Sequence, residues 1–313
     1  MSTYLVTGGA GFIGSNLVGE LVRRGETVRV LDNLATGHIE NLAPVMEKIA
    51  WHEADIRDLE AIRPDFEGVD YVVHLAAIPS VPRSVADPLT SNAVNIDGTL
   101  NVLLAARDAS AKRLVFAASS AAYGDDPVLP RVESQKPRPL SPYALTKLAG
   151  EYYCRIFTRV YGLETVALRY FNIFGPHQSP DSPYSGVLSL FIAAYMAGRT
   201  PTIFGDGEQS RDFTYIDNNV DATLRACTAP DAAGRVINVG TGGRHTLNET
   251  IETLNGIFGA QVTPRYEAAR TGDVQHSHAD ISLARKLLGY EPKVQFEEGL
   301  KKTVAWFRST AAS

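Results

Sequence analysis

Ser141-Pro142-Tyr143-Ala144-Leu145-Thr146-Lys147 holds a phenol and an amine four residues apart. Ser141 suits a helix N-cap and Pro142 the first helical position, so Tyr143 and Lys147 are expected on one face of the opening turns. An ammonium beside a phenol stabilises the phenolate, and a phenol whose pKa falls from about 10 towards neutrality can serve as a base. The same spacing is common on solvated helices, so the pair acquires meaning only from what surrounds it.

Tyr4-Leu5-Val6 is a β-prone run leading into Thr7-Gly8-Gly9-Ala10-Gly11-Phe12-Ile13-Gly14, after which Leu17, Val18, Leu21 and Val22 recur at helical spacing. This reads as strand, glycine turn and helix, an arrangement in which free amides and the positive helix end meet a diphosphate. Gly8, Gly11, Phe12, Ile13 and Gly14 are the candidate contacts. Val28 to Leu31 forms the next strand, and Asp32 ends it at the distance expected of an acid that bonds a ribose 2'-hydroxyl. Asp32 repels a 2'-phosphate, so NAD is expected over NADP, with Asn33 alongside. Asp55-Ile56 follows a third strand and is assigned to the adenine side. Strands are predicted at 49–52, 71–75, 114–117 and 166–168, alternating with helical segments such as 100–106 and 144–160. Alternation of continuous apolar strands with helices predicts an α/β fold: a doubly wound, Rossmann-type parallel sheet binding ligands at its carboxyl edge. His74, inside a strand pattern, is read as a hydrogen-bonded core residue.

The bulk properties narrow the field. A chain of 313 residues can bury a large core, and a net charge of -5 argues against a dedicated nucleic-acid or anionic-membrane binder. No apolar run is long enough to span a bilayer and no signal peptide opens the chain, so a cytoplasmic protein is expected. Cys154 and Cys227 are read as buried packing residues, not a disulfide or metal pair. His276 and His278 lack a third ligand, so no metal site is expected.

These motifs together resemble the extended short-chain dehydrogenase/reductase superfamily. The glycine fingerprint, Asp32, His74-Leu75-Ala76-Ala77, Ser119 and Tyr143-x-x-x-Lys147 carry the resemblance across nearly the whole chain. Ser80-Val81-Pro82-Arg83-Ser84, Ala118-Ser119-Ser120, Leu168 to Pro176 and Ser210-Arg211-Asp212-Phe213 are most similar to the UDP-hexose 4-epimerases, especially the branch acting on UDP-N-acetylglucosamine. The resemblance implies NAD as cofactor and a UDP-sugar as substrate. It assigns proton transfer to Ser119, Tyr143 and Lys147, and cofactor contacts to Leu75, Ala76, Ala77 and Asn95. It assigns substrate contacts to Ser119, Tyr143, Asn172, Arg211, Arg270, Asp273 and Ser277. A transient 4-keto sugar reduced on its opposite face would invert C4 with no net oxidation.

Related dehydratases and decarboxylases carry a glutamate two residues before Tyr123. Here that position is Ala121, so reversible epimerisation needs nothing the chain lacks. In this family a bulky tyrosine four residues after the position of Asp273 excludes an N-acetyl group; Ser277 leaves room for it. Uronic acid substrates would need a cation near C6, from Arg83 or Arg199. A non-catalytic sensor of NAD or nucleotide sugars is the reading from another class. Residues 1–175 are expected to form the cofactor domain, with returns near 214–241, and 176–313 a mainly substrate-binding, discontinuous lobe. Asp280 is expected to cap a helix over 281–288. A homodimer through the helices of 95–109 and 143–160 is implied by resemblance.

Overall fold

The computed structural model describes residues 1–179, 186–269 and 274–311. Its strands are β1 (Thr3–Thr7), β2 (Thr27–Asp32), β3 (Ile49–Glu53), β4 (Tyr71–His74), β5 (Arg113–Ser119), β6 (Glu164–Tyr170), β7 (Ile173–Phe174), β8 (Thr202–Phe204), β9 (Ser210–Arg211), β10 (Thr214–Tyr215), β11 (Arg235–Val239), β12 (His245–Thr246) and β13 (Arg265–Glu267). The helices are α1 (Phe12–Arg23), α2 (Leu59–Ile62), α3 (Val81–Ala86), α4 (Pro88–Asn92), α5 (Gly98–Asp108), α6 (Pro142–Ile156), α7 (Val187–Met196), α8 (Ile216–Thr228), α9 (Leu247–Phe258), α10 (Ser282–Leu288) and α11 (Phe296–Ala311).

Seven strands form one parallel sheet in the order β11-β6-β5-β4-β1-β2-β3. The order reverses at β1, whose two neighbours are β2 and β4, and this switch point opens a crevice at the carboxyl edge. Helices on both faces explain why Leu5, Val6, Val72, Val73, Leu114 and Val115 are all fully buried: odd and even positions alike meet a helix. Two separate cores result, one on each side of the sheet. The predicted strands at 49–52, 71–75, 114–117 and 166–168 all appear, and β11 joins the sheet at its edge beside β6.

Outside the seven-stranded sheet, the described residues form three two-stranded sheets, β10-β7, β12-β9 and β13-β8, beside the helices α7, α9 and α11. One helix start differs from expectation. α10 begins at Ser282 with Ile281 at its cap, because Asp280 Oδ1 accepts the Ser282 N–H at 2.8 Å from one residue further out. Cys154 and Cys227 are free and buried, as their apolar surroundings predicted.

Candidate active site

The turn after β1 is held by packing as much as by phosphate geometry. Gly8 has φ 73, and a Cβ there would lie 2.6 Å from the Ala76 amide nitrogen. A Cβ on Gly14 would strike the Gly8 carbonyl. Gly8 therefore lets the loop after β4 close onto the loop after β1, and Gly14 lets the first turn of α1 pack against that same loop. Gly11 caps α1 without a side chain, so the first amides of the helix face the crevice unpaired. Gly8, Gly11, Phe12, Ile13, Gly14, Leu75, Ala76 and Ala77 all line a cleft of about 640 Å³. Amide donors at a helix start and a carboxylate at the next strand end fit a dinucleotide with a free ribose.

Asp32 is buried at the tip of β2 and lines this cleft together with Asn33. Its Oδ2 accepts the Ala10 N–H at 3.0 Å and its Oδ1 accepts the Leu34 N–H at 2.9 Å. Burial raises its pKa, and these amide donors oppose the rise. Ile56 lines the cleft, but Asp55 does not. The Asp55 carboxylate turns outward to Arg57, at 2.7 Å, and accepts Asn33 Nδ2 at 2.8 Å; the Arg57 hydrogen bonds hold its pKa down at about 2. Asp55 thus bonds Asn33 and leaves the cleft wall to its neighbours Ala54 and Ile56.

Asn95 also departs from expectation. It is buried in a π-helical stretch, Ala93–Asp97, and is absent from the described cleft wall. Its Oδ1 accepts the Ile78 N–H at 2.8 Å, and its Nδ2 donates to Ile78 O at 3.3 Å and Thr146 Oγ1 at 3.1 Å. With both donors spent, Asn95 ties the loop after β4 to α6. His74 completes that tie. Thr99 donates its single hydroxyl proton to Asn95 O at 2.7 Å, so it accepts from His74 Nε2 at 3.0 Å. Nδ1 is then bare and accepts the Thr7 hydroxyl at 2.7 Å. Burial drops the His74 pKa to about 3, as a neutral ring in this role requires. It is the hydrogen-bonded core histidine that its strand position implied.

The candidate reacting groups meet at the carboxyl edge. Ser119 is the last residue of β5, and its Oγ accepts the Ala121 N–H at 3.2 Å to start a single turn. The α6 helix opens as its sequence predicted, with Ser141 Oγ accepting the Ala144 N–H at 3.1 Å and Pro142 in the first position. A second serine caps the same end: Ser84 Oγ on α3 accepts the Tyr143 N–H at 3.0 Å. Ser119, Tyr143 and Lys147 line one cleft with the glycine turn. The Lys147 ammonium donates to Ala117 O at 2.8 Å and sits 4.9 Å from the Phe116 ring centre.

The expected lowering of the Tyr143 pKa is not met by the protein's own groups. Burial raises it, and the opposing influence is a hydrogen bond with Ser119, while Lys147 is engaged with the β5 carbonyl. Burial also brings Lys147 down to about 8, still charged at neutral pH. The cleft therefore holds a neutral phenol near an ammonium engaged elsewhere, and a further positive charge is needed for Tyr143 to ionise readily.

A second cavity of about 530 Å³ adjoins the first. Asn172, Ile173, Gln178 and Gly186 line both. Asn172 (φ 37) and His177 (φ 69) hold left-handed backbone in this shared wall. The wall is pinned to α1 by Ser15 Oγ with His177 Nδ1 at 2.8 Å and by Asn16 Nδ2 donating to Pro176 O at 3.0 Å. Arg211 lines the second cavity, its Nη1 donating to Ser210 O at 3.0 Å and Gln275 O at 3.1 Å. Ser277 donates its N–H to Ser210 O at 3.0 Å and is in neither described cavity wall. Arg270 and Asp273 lie outside the described residues. Arg83 lines the reacting cleft, Arg199 the other cavity. No group of three metal-ligating side chains occurs among the described residues.

Three contributors escaped the sequence. Ser84 ends a recognised motif, but its partner Tyr143 lies 59 residues away, and no pattern marks Gln178, which lines both cavities. Asp212 sits inside a recognised motif, but its role is internal: its carboxylate accepts Thr241 N–H at 2.8 Å, Thr241 Oγ1 at 2.6 Å, Gly242 N–H at 3.1 Å and Ala279 N–H at 3.2 Å. It clamps the segments that follow β11 and precede α10 behind Arg211.

Residues 4–240 match the NAD dependent epimerase/dehydratase family. The UDP-glucose 4-epimerase of Mycolicibacterium smegmatis is 40% identical over 97% of this chain and 98% of its own length. The UDP-glucuronate 4-epimerase of Thermodesulfobacterium geofontis is 35% identical over 98% of this chain and 96% of its own. Among solved structures, a UDP-N-acetylglucosamine 4-epimerase from Methanobrevibacter ruminantium M1, in complex with UDP-N-acetylmuramic acid, superposes with a TM-score of 0.94 at 41% identity, covering 99% of each chain. With these matches running along nearly its whole length, this chain belongs to the NAD-dependent epimerase/dehydratase family of the extended short-chain dehydrogenase/reductases.

Proposed function

We propose that this chain, an NAD-dependent UDP-sugar 4-epimerase, interconverts UDP-glucose with UDP-galactose and also UDP-N-acetylglucosamine with UDP-N-acetylgalactosamine. The observation that carries this reading is the meeting of Ser119, Tyr143 and Lys147 in one cleft with the glycine cradle. NAD, when bound, accepts and returns the hydride of C4 and, while oxidised, adds a positive charge. Asp32 and the amides opening α1 would hold it.

Ser119 bonds the sugar's 4-hydroxyl and relays its proton to Tyr143 Oη. Lys147 keeps an ammonium one helical turn away, and because Ala117 O engages it, the phenolate would also need the positive charge that the cofactor adds. Tyr143 returns the proton once the 4-keto sugar has presented its other face, so C4 inverts and no net oxidation remains. Arg211 and Asn172, with Arg270 and Asp273, are the proposed contacts to the nucleoside diphosphate, where a guanidinium fork can meet two phosphate oxygens.

The N-acetylated pair is favoured by the small Ser277 and by the M. ruminantium relative. Incubation with each UDP-sugar and NMR of the products tests the reading: C4 inversion of UDP-galactose is expected, and bound NAD with no inversion of any UDP-sugar would leave a sensor. Tyr143→Phe should lower kcat by roughly 10²- to 10⁴-fold, the usual contribution of a positioned acid–base group.

A second reading has one observation of its own. Arg83 lines the same cleft as Tyr143, so a uronic acid carboxylate at C6 has a candidate cation there. A homodimer is also proposed, supported by the exposed apolar stripe Leu145, Tyr152, Ile156 and Val160 along α6 and its continuation. Sedimentation of wild type against Ile156→Glu tests it, with dissociation of the variant expected. No described helix is long and apolar enough to cross a membrane.

A further inference from the structure

Beside the later turns of α6, a cavity of about 430 Å³ is lined by that helix and by the start of the edge strand β11. Its walls bring together Lys136, Arg155 and Arg235 from three separate parts of the chain. Of the two acids in the wall, only Glu151 is paired with a cation. Glu151 binds Arg169 through two bonds, 2.8 and 2.7 Å, and Glu133 Oε1 accepts the Asn238 N–H at 2.8 Å. Among the described residues, Lys136, Arg155 and Arg235 have no acid within ion-pair distance, whereas most other arginines, among them Arg57, Arg63, Arg113, Arg225 and Arg285, do. Arg169, also in the wall, keeps one buried nitrogen, Nη1, without a hydrogen-bond partner. Three cations without an ion-pair partner, against one carboxylate held only by an amide, leave this concave site with a local positive field on a chain of net charge -5.

We propose that this cavity binds a small phosphate-bearing dianion or polyanion, at a site separate from that of the UDP-sugar. Arg155 and Arg235 supply forked donors that suit phosphoryl oxygens, and Lys136 supplies a mobile point charge at the rim. The site touches the catalytic helix directly, because Glu151 follows Lys147 by one turn and Arg155 follows Glu151 by another.

The test uses the NAD-loaded enzyme with its substrate site saturated by UDP, titrated with inorganic pyrophosphate and, separately, with a hexose 1-phosphate by calorimetry. One further saturable site is expected for at least one probe. The tighter probe identifies whether free or esterified phosphate is preferred. Arg155→Ala/Arg235→Ala should weaken it at least tenfold while UDP binding stays within twofold. Both arginines are exposed, and a thermal melt confirms that the double variant is folded; Lys136→Ala should give a smaller loss. Absence of saturable binding in the presence of UDP, or equal binding by the folded double variant, would overturn the proposal.

Discussion

Ser84 Oγ accepts the backbone N–H of Tyr143 across 59 residues of chain, while its own proton goes to Val81 O at 2.7 Å. The second amide of a helix has no intrahelical acceptor, and Ser141 already serves the third. Ser84 therefore fixes the residue whose side chain is the proposed base.

Ser84→Ala should leave that amide buried and unpaired. A loss of about 1–2 kcal/mol of stability is expected, the usual range for a cap or a buried donor. If Ser84 positions Tyr143, kcat falls several-fold with KM little changed, and Ser84→Thr restores part of it. A melting curve and steady-state kinetics on UDP-galactose separate the two effects.

The pH profile should be a bell. Tyr143 is raised by burial, so activity climbs with pH as its phenolate forms. Lys147 loses its proton as pH passes about 8, and the supporting charge goes with it. Lys147→Arg stays charged throughout, so its alkaline limb should vanish even if the rate falls. The same depressed pKa has a stability sign. Between about 8 and the ordinary 10.5, the unfolded chain still binds the proton that the folded state has released, so this group's contribution to stability rises with pH there. Urea melts at pH 8 and pH 10 of wild type and Lys147→Met compare that slope.

Asp32→Ala removes both the proposed ribose contact and the acceptor for Ala10 N–H and Leu34 N–H. Hydrogen bonds to a charged group are each worth about 1.5–3 kcal/mol. NAD affinity should fall roughly 10- to 100-fold, with no gain in NADP affinity, because no cation replaces the acid. Fluorescence titration of both cofactors reads this out.

Ser277→Tyr should abolish turnover of UDP-N-acetylgalactosamine and spare UDP-galactose if Ser277 sets the room for the acetamido group. Equal kcat/KM losses on both substrates would show that it acts on the backbone pairing with Ser210 instead.

Arg83→Ala tests the carboxylate reading by competition. If uronates are substrates, kcat/KM for UDP-glucuronate should fall at least tenfold while UDP-galactose changes little. No turnover of UDP-glucuronate by wild type removes that reading.

Much of this protein was settled by local pattern. Continuous apolar strands alternating with amphipathic helices require a sheet covered on both faces, and the glycine run between β1 and α1 requires a tight turn into a helix start. The α6 opening was legible for the same reason, since Ser141, Pro142, Tyr143 and Lys147 act within a single stretch of chain. Tertiary structure alone decided which candidates face the cleft. Asn95 and His74 are consumed by partners from other elements, and Asp55 is turned outward by Arg57, because a buried polar group must find whichever partner folding brings to it. Tertiary structure also set the protonation chemistry. The spacing of Tyr143 and Lys147 implied mutual stabilisation, yet the Ala117 carbonyl claims the ammonium and burial raises the phenol. Desolvation depends on everything packed around a group, and no stretch of sequence contains it.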